Sequence, residues 1–371
     1  MKKSFSSFGG FLVLVVLLTT SAFGQDGALE AVLEGAKVAY LKNNRLYIME
    51  VGQWNAIQIA SNLNDTGNTV KWAATGDLIA VANGSRIKVY DIHTKSEVFS
   101  KFNLSINGKG GGNYSMEFGY DGKHVYFVDN RDIKKISLST GQISKVYTTK
   151  SEFKIGEGEF GISENGKRFA GRYSNQKAVY IDIDNSLEGT YDNECSACIS
   201  PGGTRLAVNS RNPLHTRLHV SRWPLTADSP SHWRNVDSRW GKWDNHTWSN
   251  HEDWVIGSQD ECALINVNPN AGTASYKMQH GTESWYPDLW IPANKGGVVP
   301  SNPTYIATKN NFSNILTVKA SNRLMTTIRD NQKRELAVHE GAAFSILGQK
   351  MHAQKTMQPG KIAVVKIEKT N

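Results

Sequence analysis

Residues 116–138, MEFGYDGKHVYFVDNRDIKKISL, carry the pattern that decides the fold. They read as a short apolar strand, a polar turn with glycine, a second apolar strand, another polar turn and a β-branched strand. The same plan recurs in residues 70–92, 160–183, 196–220 and 246–267. Its turn glycines recur at a spacing of about 40 residues, which is the period of a four-stranded β-propeller blade. These glycines are Gly76, Gly122, Gly166 and Gly203.

The ends of the repeat array complement each other. Residues 37–60 supply strands without an innermost strand, whereas residues 285–291 (WYPDLWI) resemble an innermost strand with nothing after it. Pairing them closes a ring and removes exposed sheet edges. The sequence therefore predicts an all-β fold with six blades and few helices. Seven blades stay open as an alternative, because segment 221–243 is long enough to contain irregular strands.

The N-terminus has the features of a secretory signal peptide. Lys2 and Lys3 precede an apolar run from Phe11 to Leu18, and Ala22-Phe23-Gly24 forms a small-x-small cleavage site. The apolar run is shorter than the ~20 residues that span a bilayer. We therefore predict a signal peptide at residues 1–24, a propeller at 25–291, a linker at 292–311 and a C-terminal β module at 312–371. The mature chain is expected in the periplasm, at the cell surface or secreted, without a transmembrane span.

The net charge of the chain indicates which classes of binding partner to expect. The formal net charge is +8, and the basic residues are spread rather than gathered into one run. For an exported chain, this balance favours acidic glycans or envelope surfaces over nucleic acid. The expected partner is a glycan or an envelope or extracellular protein, and the sequence leaves the oligomeric state open.

Three cysteines allow two structural interpretations. Cys195 and Cys198 have CxxC spacing, but no second CxxC completes a zinc site, and Cys262 stands alone. The pair precedes a strand-to-turn segment, whereas redox CxxC pairs open a helix. A disulfide between two of the three and a set of buried thiols both remain open.

Two of the turns carry a family resemblance. Residues 200–207 (SPGGTRLA) and 120–125 (YDGKHV) resemble the SPDG-type turn and following strand of TolB-like and WD-related propeller repeats. The resemblance covers residues 37–291 and departs in the fifth segment, where residues 249–253 (SNHED) replace SPDG. It implies a propeller that binds proteins, peptides or sugars, and it implies no reaction.

The tail carries a second resemblance. Residues 344–368 (FSILGQKMHAQKTMQPGKIAVVKIE) are similar to the terminal sorting modules of surface-secreted bacterial proteins. The Tyr usual before the closing strand of those modules is replaced here by Ile362-Ala363. The alternative is a plain immunoglobulin-like end domain.

A tryptophan-rich segment is the candidate ligand site. Indole rings stack on the apolar faces of sugars, and arginines pair with carboxylates of acidic sugars or peptides. Trp248 and Trp254 alternate on strands and are assigned to the core, whereas other tryptophans fall in a polar, irregular stretch. The predicted ligand-binding residues are Arg222, Trp233, Arg234, Arg239, Trp240 and Trp243.

Histidines in the same region suggest an enzymatic alternative. A divalent metal needs three or four converging ligands, and the candidates are His215, His246 and His251. Oligogalacturonate lyases are secreted propellers of similar type that use histidines and a metal, and this resemblance implies polysaccharide cleavage. Their distinctive motifs are not recognisable here, and neither GxSxG, HExxH nor a phosphate loop is present. Binding without a required cofactor is therefore favoured over metal-assisted catalysis.

Overall fold

The computed structural model describes most of the propeller and the strands of the tail. The described residues are 31–53, 55–63, 69–108, 114–151, 160–173, 177–191, 194–210, 216–222, 232–237, 246–258, 262–268, 270–271, 275–277, 287–300, 315–319, 325–329, 335–338, 352–356 and 363–368. The predicted signal peptide lies outside this part of the chain.

Six four-stranded antiparallel sheets form the propeller and confirm the predicted six blades. Blade 1 combines strands from both ends of the repeat array, and blades 2 to 6 each use four consecutive strands. The strands of blades 1 to 3 are β1 (Lys37–Lys42), β2 (Arg45–Glu50), β3 (Ala56–Ala60), β4 (Thr69–Trp72), β5 (Leu78–Ala82), β6 (Ile87–Asp91), β7 (Ser96–Lys101), β8 (Met116–Phe118), β9 (His124–Asp129), β10 (Asp132–Ser137) and β11 (Ile143–Thr148).

Blades 4 to 6 continue the same order, and one further strand returns to blade 1. They comprise β12 (Phe160–Ile162), β13 (Arg168–Arg172), β14 (Ala178–Asp182), β15 (Leu187–Tyr191), β16 (Glu194–Ile199), β17 (Arg205–Ser210), β18 (Arg217–Arg222), β19 (His232–Asp237), β20 (Thr247–Trp248), β21 (Trp254–Ser258), β22 (Cys262–Asn266) and β23 (Ser275–Lys277), followed by β24 (Asp288–Trp290).

Strand β24 closes the ring as the sequence predicts. It pairs antiparallel with β1, with Leu289 opposite Val38 and Trp290 opposite Lys37, so blade 1 has the order β24-β1-β2-β3. The innermost strand of blade 1 thus comes from the end of the repeat array and its other strands from the beginning. This arrangement leaves no blade without an innermost strand, and the ring has no open edge at the axis.

Apolar packing between neighbouring blades holds the ring together. Six buried hydrophobic clusters occur, and each spans one of the six blade interfaces. The second strand of a blade is buried on both faces, as in β5 with the sequence LIAVA, whereas outer strands such as β11 are largely exposed. Each thin sheet therefore depends on its neighbours for burial of its apolar surface.

The two ends of the propeller differ in their connections. Connections from a first to a second strand are short turns at residues 73–77, 119–123, 163–167, 200–204 and 249–253. We call this end of the ring the turn face. At the opposite end, the loop face, the fourth strand of each blade ends and the first strand of the next blade begins. Because neighbouring strands are antiparallel, connections from a second to a third strand also lie at the loop face.

The turn glycines found in the sequence have a conformational role. Gly76, Gly122, Gly166 and Gly203 all have positive φ, between 65° and 75°. In each case the glycine N–H donates to the carbonyl of the residue three positions earlier. L-residues rarely adopt this conformation, so glycine is favoured there. The fifth turn has Glu252 at the equivalent position, as its departure from the SPDG pattern indicates.

Helical structure is nearly absent from the described residues. It amounts to a single turn at residues 31–33 and a 3-10 turn, η1 (Ala293–Lys295). No helix in this part of the chain is long and apolar enough to span a membrane.

The described residues of the tail after residue 300 all lie in strands, as predicted for the C-terminal β module. One hairpin and one three-stranded sheet of order β27-β29-β28 are present. The strands are β25 (Ile315–Lys319), β26 (Met325–Arg329), β27 (Glu335–Val338), β28 (His352–Thr356) and β29 (Ala363–Glu368).

Candidate functional site

A buried polar cluster lies on the propeller axis, where the innermost strands meet. The Lys71 ammonium on β4 is 2.8 Å from the Glu117 carboxylate on β8, and both side chains are largely buried. The same ammonium donates a 2.5 Å hydrogen bond to the Thr247 hydroxyl on β20. One lysine therefore connects the neighbouring blades 2 and 3 with blade 6, which is next to neither of them in the ring.

Asp288 brings the closing strand into this cluster. Its carboxylate Oδ2 accepts the backbone N–H of Trp72 at 2.7 Å, and its carbonyl accepts the Trp72 indole N–H at 3.2 Å. The Trp290 indole N–H also donates to the carbonyl of Ala74 at 2.9 Å. Strand β24 is thus fixed to blade 2 by polar contacts as well as by its pairing with β1.

The axial cluster contains two acidic side chains, Glu117 and Asp288, and one basic side chain, Lys71. Burial raises the pKa of Asp288 to about 7, and the neighbouring Glu117 carboxylate adds to the increase. Burial likewise raises the pKa of Glu117. Burial alone would lower the pKa of Lys71, but the Glu117 and Asp288 carboxylates raise it. Two buried acids share one cation, so the cluster favours binding a proton near neutral pH.

Tyr120 spans the turn-face end of the axis. Its hydroxyl donates to the Ser249 carbonyl at 3.4 Å, a contact from blade 3 to blade 6. Burial raises the Tyr120 pKa well above its ordinary value, and the acids around the axis reinforce the shift. The hydroxyl therefore remains protonated at all physiological pH values.

Asn250 fixes the chain as it leaves the propeller at the turn face. Its side-chain oxygen accepts the Ile291 N–H at 2.7 Å, and its amide nitrogen donates to the carbonyls of Ile291 and Val298 at 2.9 and 3.1 Å. The Val298 N–H donates to the Asn250 carbonyl at 2.6 Å. A Cβ on Gly297 would lie 1.9 Å from the Ile291 carbonyl oxygen, so only glycine fits there. These contacts of Asn250 with Ile291 and Val298 give a physical reason why the fifth turn lacks the SPDG sequence.

The predicted metal ligands are not brought together among the described residues. His246 is buried, and its Nε2 lies 3.0 Å from the Ala207 carbonyl oxygen. His251 Nδ1 accepts the Asp253 N–H at 3.0 Å, and burial lowers the pKa of this imidazole. The two histidines flank β20 at its opposite ends, and His215 lies outside the described residues. No group of three or more metal-binding side chains occurs in the described part of the chain.

The predicted ligand-binding residues fall around strand β19. Arg222 ends β18 at the turn face and is exposed, whereas Trp233 and Arg234 belong to β19 and their side chains lie outside the described part. Arg239, Trp240 and Trp243 also lie outside it, in the stretch that joins the end of β19 to the start of β20. Both of those strand ends are at the loop face, the end opposite to Arg222.

The structure also locates the two tryptophans predicted for the core and one of the three cysteines. Trp248 and Trp254 are buried core residues, as predicted. Cys198 is a buried, reduced thiol on β16, and the side chains of Cys195 and Cys262 lie outside the described part.

The axial cluster itself is absent from the sequence-based predictions. The sequence contains a signal for this cluster, because Lys71 and Glu117 are charged residues within short, largely apolar innermost strands.

Comparisons with known proteins agree with the fold. No family model matches the chain, and no curated protein matches it. The structure of TolB from Acinetobacter baumannii is similar with a TM-score of 0.51 and 15% identity, covering 72% of this chain and 73% of that one. A chain of the nidogen/laminin complex is similar with a TM-score of 0.50 and 8% identity, covering 69% and 98%. Such likenesses show the fold alone: the protein is a six-bladed β-propeller whose fold is similar to that of TolB.

Proposed function

We propose that this chain is an exported binding or scaffold module that holds a protein, peptide or glycan on the loop face of its propeller. The observation that carries the proposal is the difference between the two ends of the axis. At the turn face, Tyr120 spans the axis and Asn250 holds the exit segment. At the loop face, the blades are joined by longer stretches of sequence, since 14 residues separate β7 from β8 and 11 separate β11 from β12.

The filled axis favours a surface site over a tunnel site. Lys71, Glu117, Thr247 and Asp288 use their polar atoms on one another and on the backbone. A ligand inside this part of the axis would have to displace buried charge pairs, which is costly. Binding residues occur disproportionately on loops that a rigid scaffold positions, and the loop face has this construction.

Three further observations support the proposal. The nidogen/laminin structure places a chain of this fold in a complex of two named proteins. The N-terminal signal-peptide pattern supports export, and the tail resembling sorting modules supports display at the cell surface. The predicted Trp240 and Trp243 lie between two strand ends of the loop face, which supports a ligand site there.

The test applies the full mature chain to a glycan array. In a separate experiment, the chain is crosslinked to proteins of the culture medium. We expect a ligand that is lost in the double variant Trp240→Ala, Trp243→Ala. A matched control is Trp54→Ala, because this tryptophan stands in the sequence between β2 and β3, far from residues 240 and 243 in the chain. Binding that survives the double variant and disappears in the control would contradict the proposal.

Export has a separate test. N-terminal sequencing of the protein recovered outside the cytoplasm should begin at Gln25. A protein that retains Met1 and stays in the cytoplasm would remove the export part of the proposal and leave the binding part untouched.

A further inference from the structure

The ring is closed by a short strand pairing whose two chain ends lie side by side. Strand β24 pairs with β1 over three residue pairs, from Asp288 opposite Ala39 to Trp290 opposite Lys37. Because Lys37 begins β1 and Trp290 ends β24, the chain both enters and leaves this pair at the turn face. The hydrogen bonds of an antiparallel pair run perpendicular to the strands, so a pull that separates two ends on the same side breaks them one after another. The pairing alone would therefore resist such a pull only weakly.

The segment that follows β24 is held by a different blade. Both polar backbone groups of Val298 bond to Asn250, which lies in the fifth turn and belongs to blade 6. The Val298 N–H donates to the Asn250 carbonyl at 2.6 Å, and the Val298 carbonyl accepts the Asn250 side-chain amide at 3.1 Å. Gly296 lies against the His251 ring, since a Cβ on this glycine would be 2.7 Å from Nε2. Residues 291–298 are thus tied to blade 6, although the strand that they follow belongs to blade 1.

The same segment then crosses the mouth of the axis at the turn face. A Cβ on Gly122 would lie 3.9 Å from Pro300 Cγ, so Pro300 reaches the turn of blade 3. Blades 3 and 6 are on opposite sides of the six-bladed ring. The hydrogen bond from the Tyr120 hydroxyl to the Ser249 carbonyl, at 3.4 Å, joins the same two blades. The chain therefore leaves the ring over its centre rather than beside β24.

Contacts with the N-terminal segment cover the other side of the closure. Ile291 is fully buried in a hydrophobic cluster that also contains Leu33. The Lys295 ammonium lies 2.6 Å from the Glu34 carboxylate, but the Glu34 side chain is 75% exposed. Exposed ion pairs contribute little to stability. The hydrogen bonds from the fifth turn and the burial of Ile291 are therefore the main contacts that hold this segment in place.

We infer that residues 291–300 form a latch, held on blade 6, that must be released before β24 can leave the ring. A pull on the C-terminal part of the chain acts first on the contact of Val298 with Asn250, because this contact lies between that part and β24. Blade 6 then carries the pull, and the three residue pairs of β24 with β1 remain intact. This inference concerns the closure of the ring, so it goes beyond the proposed function and is independent of the ligand.

The position of the latch suits a propeller that is bound at one end and held at the other. The tail continues from residue 300 at the turn face, whereas the proposed ligand site is at the loop face. Tension between the two runs through the ring, and it would act directly on the closing strand if the chain continued straight from β24. The latch transfers this tension to blade 6, which is made of four consecutive strands.

The experiment holds the full mature chain by its two termini in optical tweezers. Release of residues 288–300 lengthens the tether by roughly 40 Å, because an extended residue spans up to ~3.6 Å. In Asn250→Ala, we expect an event of this size before the ring unfolds, at least about tenfold more frequent at a given force than in the unmodified chain, which corresponds to a barrier lower by about 1.4 kcal/mol. Gly297→Ala should have the same effect, because its Cβ would lie 1.9 Å from the Ile291 carbonyl oxygen and displace the latch.

Asn107→Ala is the matched control. The Asn107 side chain also bridges backbone groups, since it accepts the Asn130 N–H at 2.8 Å and donates to the Asn130 carbonyl at 2.9 Å, but it lies at the loop face. Loss of these bonds should lower the force that unfolds the ring and leave the early event as rare as in the unmodified chain. The latch would be disproved if Asn250→Ala and Gly297→Ala released β24 no more often than the unmodified chain, or if Asn107→Ala released it as often as they do.

Hydrogen exchange of the unmodified chain gives a second test, which needs no variant to fold. The β24 amides that bond to β1 should exchange no faster than the Val298 amide, because β24 opens only after the latch is released. Faster exchange in β24 than at Val298 would show that the strand opens under an intact latch, and it would overturn the inference.

Discussion

Replacing Asp288 by asparagine should make the propeller more stable in alkaline solution. Asp288 is 4% exposed, lies on the closing strand and shares the Lys71 cation with Glu117. An asparagine keeps an oxygen that accepts the Trp72 N–H, and it carries no charge. The variant therefore imitates the protonated state of Asp288 at every pH.

The size of the effect follows from the pKa of Asp288. Burial raises this pKa from 3.8 to about 7 in the folded protein. Because the folded state holds the proton more tightly than the unfolded state, the associated stability is complete below pH 4 and disappears as pH rises to 7. The difference corresponds to roughly 4 kcal/mol for the unmodified chain. Asp288→Asn should remove this pH dependence.

Urea unfolding at pH 5 and at pH 8 measures the difference directly. We expect Asp288→Asn to lie closer to the unmodified chain at pH 5 and to gain about 2 to 3 kcal/mol on it between pH 5 and pH 8. The matched control is Asp184→Asn, since the Asp184 side chain is 59% exposed and pairs only with Lys167 at the surface. Its effect should remain within about 0.5 kcal/mol at both pH values.

One result would refute this account of the cluster. If Asp288→Asn is less stable than the unmodified chain at pH 8 by as much as at pH 5, the carboxylate does not carry a buried charge penalty. The ionised Asp288 would then be a net stabilising partner of Lys71.

Two further substitutions test the ring closure. Gly76→Ala should cost more than about 3 kcal/mol, because its Cβ would lie 2.2 Å from the Trp290 ring and its φ is +75°; Gly141→Ala, with φ +68° and nothing within 4 Å, should cost only about 1 kcal/mol, and equal losses would contradict the packing argument. Asn250→Ala should cost about 2 kcal/mol through the polar groups of Ile291 that it leaves without partners. Faster amide hydrogen exchange at Ile291 would support this role, and unchanged exchange would speak against it.

The sequence alone determined the architecture because the fold is repetitive. Short strands such as LIAVA and HVYFVD, recurring with glycine turns, specify sheets that must stack to bury their faces. The closing strand was equally readable, since residues 37–60 lacked an innermost strand and residues 285–291 resembled one. These patterns can be read from the sequence because each strand and turn is specified by residues that are close together along the chain.

Only the tertiary structure decided which polar residues meet. Lys71, Glu117 and Asp288 are separated by long stretches of chain, and they converge because the ring brings one innermost strand from each blade to the axis. A linear pattern records each residue's neighbours along the chain, whereas convergence on an axis or a face depends on closure of the whole ring.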